Sequence, residues 1–416
     1  MLSAHRPHTY LTLFALWLMV FSASSQVIII SPILPRIGEA LAVPETLLGT
    51  LVTSYAVMLS VFALIIGPIS DKFGRRRVLL MGTVSMAVAL LLHGVANSYW
   101  SLLIMRGLAG GAGGMLSGAA VAYIADAFPY ERRGWANGWV MSGIAFGQIV
   151  GIPLGTLLAD WMGFRAPFMM FALTMGAAVL LIWYAVPQPD VELDEGRLTV
   201  RRAIGGYLGL LKNPQVVLAA TVYFLMFLSV GLYLVYLPTW LERTLMVSSG
   251  AIASLFLVGG LANVVAGPMA GQLSDRVGRR PLILASCMGF GLIMVATTHV
   301  VTEMWVAYLL FALAMITVGM RMSPLQALVS SLVPGSRRGV LMSLAISIGQ
   351  VGIGIGSAVA GTLYAEYGYV SNTYVGTASI VVMALLVVFG LREPVSEASP
   401  AAAAAVPGEP APGSTP

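Results

Sequence analysis

Long apolar runs separated by short polar turns make up most of this chain. A helix needs about 20 apolar residues to cross a bilayer, and most of the runs reach or exceed that length. They predict an all-α integral membrane protein with twelve transmembrane helices. The predicted spans are Tyr10–Leu34, Leu47–Ile69, Val78–Val95, Tyr99–Ala125, Trp135–Leu158, Pro167–Val186, Gln215–Trp240, Ala251–Leu273, Leu282–Val301, Met304–Val333, Val340–Tyr364 and Thr373–Leu391.

The first run allows a second interpretation. Leu11–Phe21, followed by Ser22-Ala23-Ser24, resembles a signal peptide with small residues at its cleavage site. However, the apolar run resumes at Val27 and is long enough to span a membrane. We therefore expect an uncleaved first helix.

The composition excludes most soluble classes of protein. Hydrophobic residues make up 58% of the 416 residues and charged residues 9%, whereas a soluble domain carries about 25% charged residues. The single cysteine, Cys287, excludes a disulfide framework, and the four histidines lack metal-ligand spacing. Because no H-E-x-x-H or G-x-S-x-G motif is present, we expect neither a metal site nor an enzyme.

Basic residues predict the orientation of the spans. With a cytoplasmic N-terminus, 17 Lys and Arg residues lie in cytoplasmic segments and three on the opposite side, while Arg106 and Arg321 lie within spans. Positive residues favour the cytoplasmic side. We therefore interpret the net charge of +5 as a topology signal and not as a nucleic-acid surface. The sequence predicts a multi-pass protein of the plasma or inner membrane with both termini cytoplasmic.

An internal repeat divides the chain into two parts. Gly67 begins G-P-I-S-D-K-F-G-R-R-R, and Gly271, 204 residues later, begins G-Q-L-S-D-R-V-G-R-R-P. Two further matches recur at offsets of 205 and 202 residues. Such repeats are typical of alternating-access carriers. They predict six-helix halves at 1–186 and 215–392, a cytoplasmic linker at 187–214 with a surface amphipathic helix over Leu198–Leu211, and a disordered tail at 393–416.

The duplicated loop suggests a cytoplasmic latch that forms in one transport state and breaks in another. Its aspartates can face helix N-terminal amides or arginines, and its glycines allow a tight turn. The alternative is that the loops only anchor the topology. The candidate latch residues are Gly67, Asp71, Gly74, Arg75 and Arg76 in the first copy and Gly271, Asp275, Arg276, Gly278, Arg279 and Arg280 in the second.

These loops closely resemble the G-x-x-x-D-R-x-G-R-R signature of the major facilitator superfamily, with Lys72 where Arg is usual. Arg106-x-x-x-Gly110 resembles that family's fourth-helix motif. A fifth-helix series resembles the twelve-helix drug/proton antiporters, although small residues at this spacing also serve helix packing. The series is Gly143, Gly147, Gly151, Pro153 and Gly155.

The resemblance implies a carrier that rocks its halves around a central site and exports substrate as protons enter. It requires a proton gradient but no bound cofactor, and it makes Arg106 a proton-relay or structural arginine. One position departs from the pattern, because many proton-coupled relatives have an acid where this chain has Gln26. The acids near the membrane lie at its edges, so Asp126 or Asp71 is the candidate for proton coupling.

Two core arginines and several polar residues are candidate substrate contacts. A charge within a span is costly and usually faces a cavity or a partner. We expect Arg321 to contact a substrate anion or a proton-linked partner. The alternative is an internal arginine that is hydrogen-bonded to backbone carbonyls. His93 and His299 are expected at the membrane interface. The candidate substrate-binding residues are Gln26, Tyr55, Tyr123, Gln148, Tyr233, Tyr236, Asn263, Arg321, Gln326 and Gln350.

The leading hypothesis is proton-coupled efflux of small lipophilic organic compounds by a monomer. The alternative is an uptake symporter or uniporter for an organic anion that uses Arg106 and Arg321. We expect a small-molecule substrate and the lipid bilayer as partners, and no nucleic acid. A channel is less favoured, since duplicated latches suit rocking gates more than a fixed filter.

Overall fold

The computed structural model describes residues 7–189, 200–334 and 337–391. Within these ranges, twelve helical segments are long and apolar enough to cross a membrane, which confirms the predicted number. The helices are α1 (Pro7–Ile28), α2 (Ile30–Leu41), α3 (Glu45–Leu48), α4 (Thr50–Phe73), α5 (Arg75–Leu92), α6 (Tyr99–Leu116), α7 (Ala119–Ala127), α8 (Tyr130–Phe146), α9 (Ile152–Met162), α10 (Ala166–Ala185), α11 (Val200–Leu211), α12 (Pro214–Leu234), α13 (Leu237–Leu245), α14 (Ser249–Val277), α15 (Arg279–Val300), α16 (Met304–Ser330), α17 (Arg338–Tyr367) and α18 (Tyr369–Phe389).

Four of the twelve spans consist of two helices each. Span 2 is α3 with α4, span 4 is α6 with α7, span 5 is α8 with α9, and span 7 is α12 with α13; the other eight are the single helices α1, α5, α10 and α14–α18. The helix α2 continues span 1 beyond Ile28, and we count it with that span. The breaks have local causes. Gly118 in span 4 has a φ of +73°, and span 5 contains a π-helical turn at Gly147–Gly151 just before Pro153, which lacks a backbone donor.

The same neighbour pairs recur in spans 1–6 and in spans 7–12. Span 1 packs on span 6, span 2 on span 4, and span 3 on spans 4 and 6; likewise span 7 packs on span 12, span 8 on span 10, and span 9 on spans 10 and 12. The repeat in the sequence therefore corresponds to a repeat in packing. We call the face with the duplicated loops the inner face and the opposite one the outer face.

The predicted linker helix is present as α11. The Tyr207 hydroxyl donates a hydrogen bond to the Leu64 carbonyl of span 2 at 2.9 Å, and α11 also contacts span 11. The helix therefore lies against spans of both halves near the inner face. The predicted start of this helix at Leu198 and the predicted tail at 393–416 fall outside the described residues.

Candidate functional site

The two inner loops share one backbone conformation. Gly74 and Gly278 have φ values of +91° and +94°, and their amides donate to the carbonyls of Ser70 and Ser274, both at 3.0 Å. With ψ near 150°, this region is accessible essentially to glycine alone. The tight turn expected from the duplicated glycines is therefore observed in both copies.

Each loop is anchored to the last span of its own half. Arg76 Nη2 donates to the Trp183 carbonyl at 2.6 Å, and Arg280 Nη2 donates to the Val387 carbonyl at 2.7 Å. The two arginines are 204 residues apart, and so are the two carbonyls that accept from them. This separation equals the offset of the sequence repeat. A cation at a helix C-terminus is favoured by the unpaired carbonyls there.

An ion pair connects the first loop to span 4. Arg75 Nε lies 2.6 Å from Asp126 Oδ2, and Arg75 Nη1 donates to Ser70 Oγ at 3.0 Å. At the corresponding place in the second half stands Ser331, whose hydroxyl donates to the Leu328 carbonyl. The Asp126 carboxylate thus has no acidic counterpart in the second half.

The other predicted latch residues differ in their surroundings. Asp275 and Arg276 are exposed, and Arg279 is half-buried. Gly271 faces Ser323 of span 10, whereas the space next to Gly67 is open. The side chain of Asp71 lies outside the described residues. The contacts that we observe stay within one half, so a latch that changes between states remains a prediction.

An ion cluster joins the two halves at the outer face, and we call it the outer lock. Arg36 of span 1 binds Glu242 of span 7 at 2.9 Å and Asp160 of span 5 at 3.2 Å. Ser249 of span 8 donates to Asp160 and accepts from Arg36. A second ion pair of the lock links Arg243 of span 7 to Glu45 of span 2.

Tyr236, a predicted substrate contact, also bridges the halves at the outer face. Its hydroxyl donates to the Glu45 carbonyl at 2.6 Å and accepts from the Gly49 amide at 2.9 Å. Thr53 adds a hydrogen bond to the Gly354 carbonyl at 2.6 Å. Tyr236 therefore belongs to the closure of the outer face.

At mid-depth the halves meet through uncharged polar groups. Asn263 Nδ2 of span 8 donates to Gln148 Oε1 of span 5 at 3.0 Å, and Ser60 of span 2 donates to the Ser347 carbonyl of span 11 at 2.9 Å. Gln148 lies in the π-helical turn of span 5. The inter-half hydrogen bonds thus extend from the outer face to mid-depth, so the two halves are closed against each other on the outer side.

Arg106 is fully buried in the first half. Its Nη1 donates to Gln26 Oε1 at 3.1 Å, and its guanidinium lies 4.7 Å from the centre of the Tyr55 ring. Gln26 Nε2 in turn donates to the Tyr55 hydroxyl at 3.1 Å. Three predicted site residues therefore form one cluster. Arg106 Nε and Nη2 are buried without a hydrogen-bond partner.

Arg321 is fully buried in the second half. Its guanidinium lies 4.5 Å from the centre of the Phe290 ring, a geometry typical of a cation–π contact. All three of its side-chain nitrogens are buried without a hydrogen-bond partner. The structure therefore does not show the carbonyl contacts that one interpretation of Arg321 required.

The remaining predicted liners lie in different places. Tyr123 of the first half donates to the carbonyl of Pro187, the first residue of the linker, and Tyr233 bonds Thr297 within the second half. Gln326 is exposed and Gln350 half-buried. The structure thus brings Gln148 and Asn263 together between the halves, and Gln26, Tyr55 and Arg106 together within one half.

His93 lies in the 3₁₀ turn that ends span 3. Its side chain is fully buried between spans and packs 4.4 Å from the Phe168 ring of span 6. His299 lies at the end of span 9 on the outer side and contacts the Tyr374 hydroxyl at 3.0 Å, with that contact exposed.

The glycine series of span 5 packs against span 1. A Cβ at Gly143 would approach the Trp17 carbonyl to 2.8 Å, one at Gly147 would meet Ser25 Oγ at 2.7 Å, and one at Gly155 would meet Ile29 Cδ1 at 2.8 Å. Gly151 likewise faces Ser25. The series therefore allows close approach of two helices, the role that small residues commonly have in membranes.

Sequence reasoning missed the outer lock. The sequence indicates only that Arg36 and Arg243 lie in outer segments and that Asp160 and Glu242 lie near the membrane edge. The sequence does show that few arginines lie on the outer side and that acidic residues lie at a similar depth in the membrane. Pairing between distant spans could not be deduced from that signal alone.

The chain resembles known transporters over most of its length. The family model described as Major Facilitator Superfamily matches residues 16–244 and 219–413. The uncharacterized MFS-type transporter YwfA of Bacillus subtilis (strain 168) is 26% identical and covers 91% of this chain and 92% of its own. The multidrug resistance protein MdtG of Klebsiella pneumoniae (strain 342) is 26% identical, with coverages of 92% and 94%.

Solved structures share the fold. The D-xylose-proton symporter superposes with a TM-score of 0.78 at 18% identity, covering 92% of this chain and 98% of its own. The human organic anion transporter MFSD10 (TETRAN) has a TM-score of 0.69 at 17% identity, with coverages of 92% and 100%.

Proposed function

Because this chain belongs to the major facilitator superfamily, and is therefore a multi-pass membrane transporter of small molecules and not an enzyme, we propose that it exports lipophilic organic compounds by alternating access. In this proposal the chain acts as a monomer in the plasma or inner membrane with both termini cytoplasmic. Export is driven by protons that move inward down their gradient.

The uncharged interface at mid-depth is the observation that supports a lipophilic substrate. Where the halves meet there, the hydrogen bonds join Gln148 to Asn263 and Ser60 to Ser347. The contacts observed for the core arginines, by contrast, are to residues of their own halves. Among the described residues, these mid-depth hydrogen bonds between the halves join only uncharged groups, which suits an apolar compound because a charged substrate would have to be desolvated there.

The relatives support export. The closed outer face is compatible with either direction, because importers and exporters both pass through such a state in alternating access. Relatives of similar length are named multidrug resistance proteins. The glycine series of span 5, which resembles that of drug antiporters, packs against span 1.

We assign the exchanged proton to Asp126. Gln26 cannot titrate, and the acids of the spans lie near the membrane edges. Asp126 is bound to Arg75 in this closed-outside arrangement. Protonation would neutralise the carboxylate and weaken the ion pair, so proton binding would be coupled to the loop between spans 2 and 3.

The second candidate function is transport of an organic anion. The buried and unbonded nitrogens of Arg106 and Arg321 favour it, since a buried charge without partners is costly and a carboxylate substrate would supply acceptors. This candidate requires that an anion reach at least one of the two guanidinium groups.

Proteoliposomes with an internal pH dye distinguish the two candidates. A lipophilic compound added outside acid-loaded vesicles should trigger proton efflux by the wild-type protein, and Asp126→Asn should abolish that signal. Glu303→Gln is the matched control, because the Glu303 carboxylate is exposed and bonds only the nearby Trp305 in the structure. Anion flux without proton movement would instead overturn the export proposal.

A further inference from the structure

A groove of about 720 Å³ runs along the inner part of spans 8 and 10. Its floor contains Ala262, Ala266 and Ala270, which recur every fourth residue and so share one face of span 8. The walls are long apolar side chains, and Gln272 and Arg276 close the inner end. The wall residues are Leu261, Val265, Met269, Leu273, Ile316 and Met320.

The groove faces away from the other half of the protein. Span 8 meets span 5 through Gly260 and Asn263, which contact Gln148. At 3.6 residues per turn, Val265 points roughly 140–160° away from both of these positions. Val265 is 58% exposed and Met269 is 64% exposed. In a membrane-spanning protein this side of span 8 faces lipid.

The second half has this groove where the first half has large side chains. The residues 204 positions before the three alanines are Met58, Phe62 and Ile66. The Phe62 ring lies against span 4, since a Cβ at Gly111 would meet Phe62 Cε2 at 3.2 Å. The three alanines thus leave open a space that corresponding side chains occupy in the first half.

The dimensions and the charge of the groove fit one kind of occupant. From Leu261 to Arg276 the helix rises about 22 Å, which matches one leaflet with its headgroup region, because half of the hydrocarbon core is about 15 Å. The inner end carries the exposed Arg276, followed closely by Arg279 and Arg280. A groove with apolar walls and basic residues at one end is complementary to a phospholipid, which has an apolar acyl chain and an anionic phosphate.

We propose that this groove is a binding site for an anionic phospholipid of the inner-face leaflet. One acyl chain lies on the alanine floor between spans 8 and 10, and the phosphate pairs with Arg276. The site is separate from the substrate path between the halves, and the proposal does not depend on the direction of transport.

Photo-labelling tests this proposal on the full chain in nanodiscs. The probe is phosphatidylglycerol with a diazirine near the end of one acyl chain, and peptide mass spectrometry locates the labelled residues. We expect labelling concentrated on Leu261–Leu273 and competition by unlabelled phosphatidylglycerol but not by phosphatidylcholine. Arg276→Gln should weaken that competition about fivefold, the factor for one basic residue at the surface.

Two further variants control for folding and for general charge. Ala262→Met introduces the side chain of the corresponding position in the first half and should reduce labelling of the groove while leaving elution on gel filtration unchanged. Lys72→Gln removes the basic residue that corresponds to Arg276 in the half without alanines, and groove labelling should persist. Equal labelling of the exposed Leu292 on span 9, or equal competition by phosphatidylcholine, would show unselective lipid and overturn the proposal. Displacement of the probe by a transported compound but not by lipid would likewise overturn it, in favour of substrate entry.

Discussion

Gln26 supplies the side-chain acceptor that the buried Arg106 has in this structure. Its amide oxygen accepts from Arg106, and its amide nitrogen donates to Tyr55. An amide suits this place because it can accept from one neighbour and donate to the other at once. Gln26, which stands where many proton-coupled relatives have an acid, is therefore part of a hydrogen-bonded cluster.

Gln26→Leu should destabilise the protein by about 1–3 kcal/mol, because it removes the buried side-chain hydrogen bonds to Arg106 and Tyr55. Arg106 Nη1 would keep only its bond to the backbone carbonyl of residue 26, at 3.3 Å. The measurement is thermal unfolding in detergent by intrinsic fluorescence. Gln26→Glu retains an acceptor for Arg106 and should be less destabilised than the leucine variant. Equal unfolding temperatures for the leucine variant and the wild type would contradict the role assigned to Gln26.

Gly278→Ala should cost about 1–3 kcal/mol, because alanine is strained at a φ of +94°. Gly339→Ala is the control, since Gly339 begins a helix and has open space around its Cβ position. Unfolding in detergent compares the two variants. Equal unfolding temperatures of the two variants would contradict the backbone strain assigned to alanine at position 278.

At the residue scale, the sequence predicted types of residue better than their partners. The duplicated glycines were expected to allow a tight turn, and Gly74 and Gly278 form such turns with φ values of +91° and +94°. Arg106 and Arg321 were expected to be internal, and both are fully buried. The contacts of Gln26 with Arg106, however, join positions 80 residues apart, and no local pattern encodes such a distance.

At the element scale, span 5 combines close packing with a local irregularity. Its glycines lie against span 1, and its π-helical turn places Gln148 against span 8. The spacing of the glycines predicted a packed helix face. It did not reveal the π turn, which arises beside Pro153 where the regular hydrogen-bond pattern is interrupted.

Gly147→Val should disrupt the contact between spans 1 and 5 by about 1–3 kcal/mol, the usual cost of overpacking. A Cβ there would lie 2.7 Å from Ser25 Oγ. Gly138→Val is the matched control in the same span, because it has open space. Folded yield and unfolding temperature should fall for Gly147→Val only. A stable Gly147→Val protein would mean that span 1 can move aside.

At the scale of the whole molecule, the outer lock holds the two halves together on one side. The hydrophobic runs predicted the twelve spans, and the repeat predicted their grouping, because both patterns can be recognised in the sequence alone. The conformational state cannot be predicted in this way, since it depends on ion pairs between distant spans, such as Arg36 with Glu242, which are 206 residues apart.

Arg36→Gln should shift the protein towards an arrangement open at the outer face, because it removes contacts to both Glu242 and Asp160. Thr53→Cys, introduced behind the lock, should then react faster with a membrane-impermeant maleimide; the native Cys287 is buried. Arg165→Gln is the control, since Arg165 lies at the outer face but bonds Ala96 of its own half. Unchanged reactivity in Arg36→Gln would remove the lock from the transport cycle.

The paired anchors of the inner loops have a consequence for assembly. Arg76 and Arg280 each bind the last span of their own six-helix unit. These contacts therefore form within each unit and do not depend on the other one. The two units should consequently behave as separable subunits: a gene split within the segment at 190–199 and expressed as two polypeptides should still yield a working heterodimer.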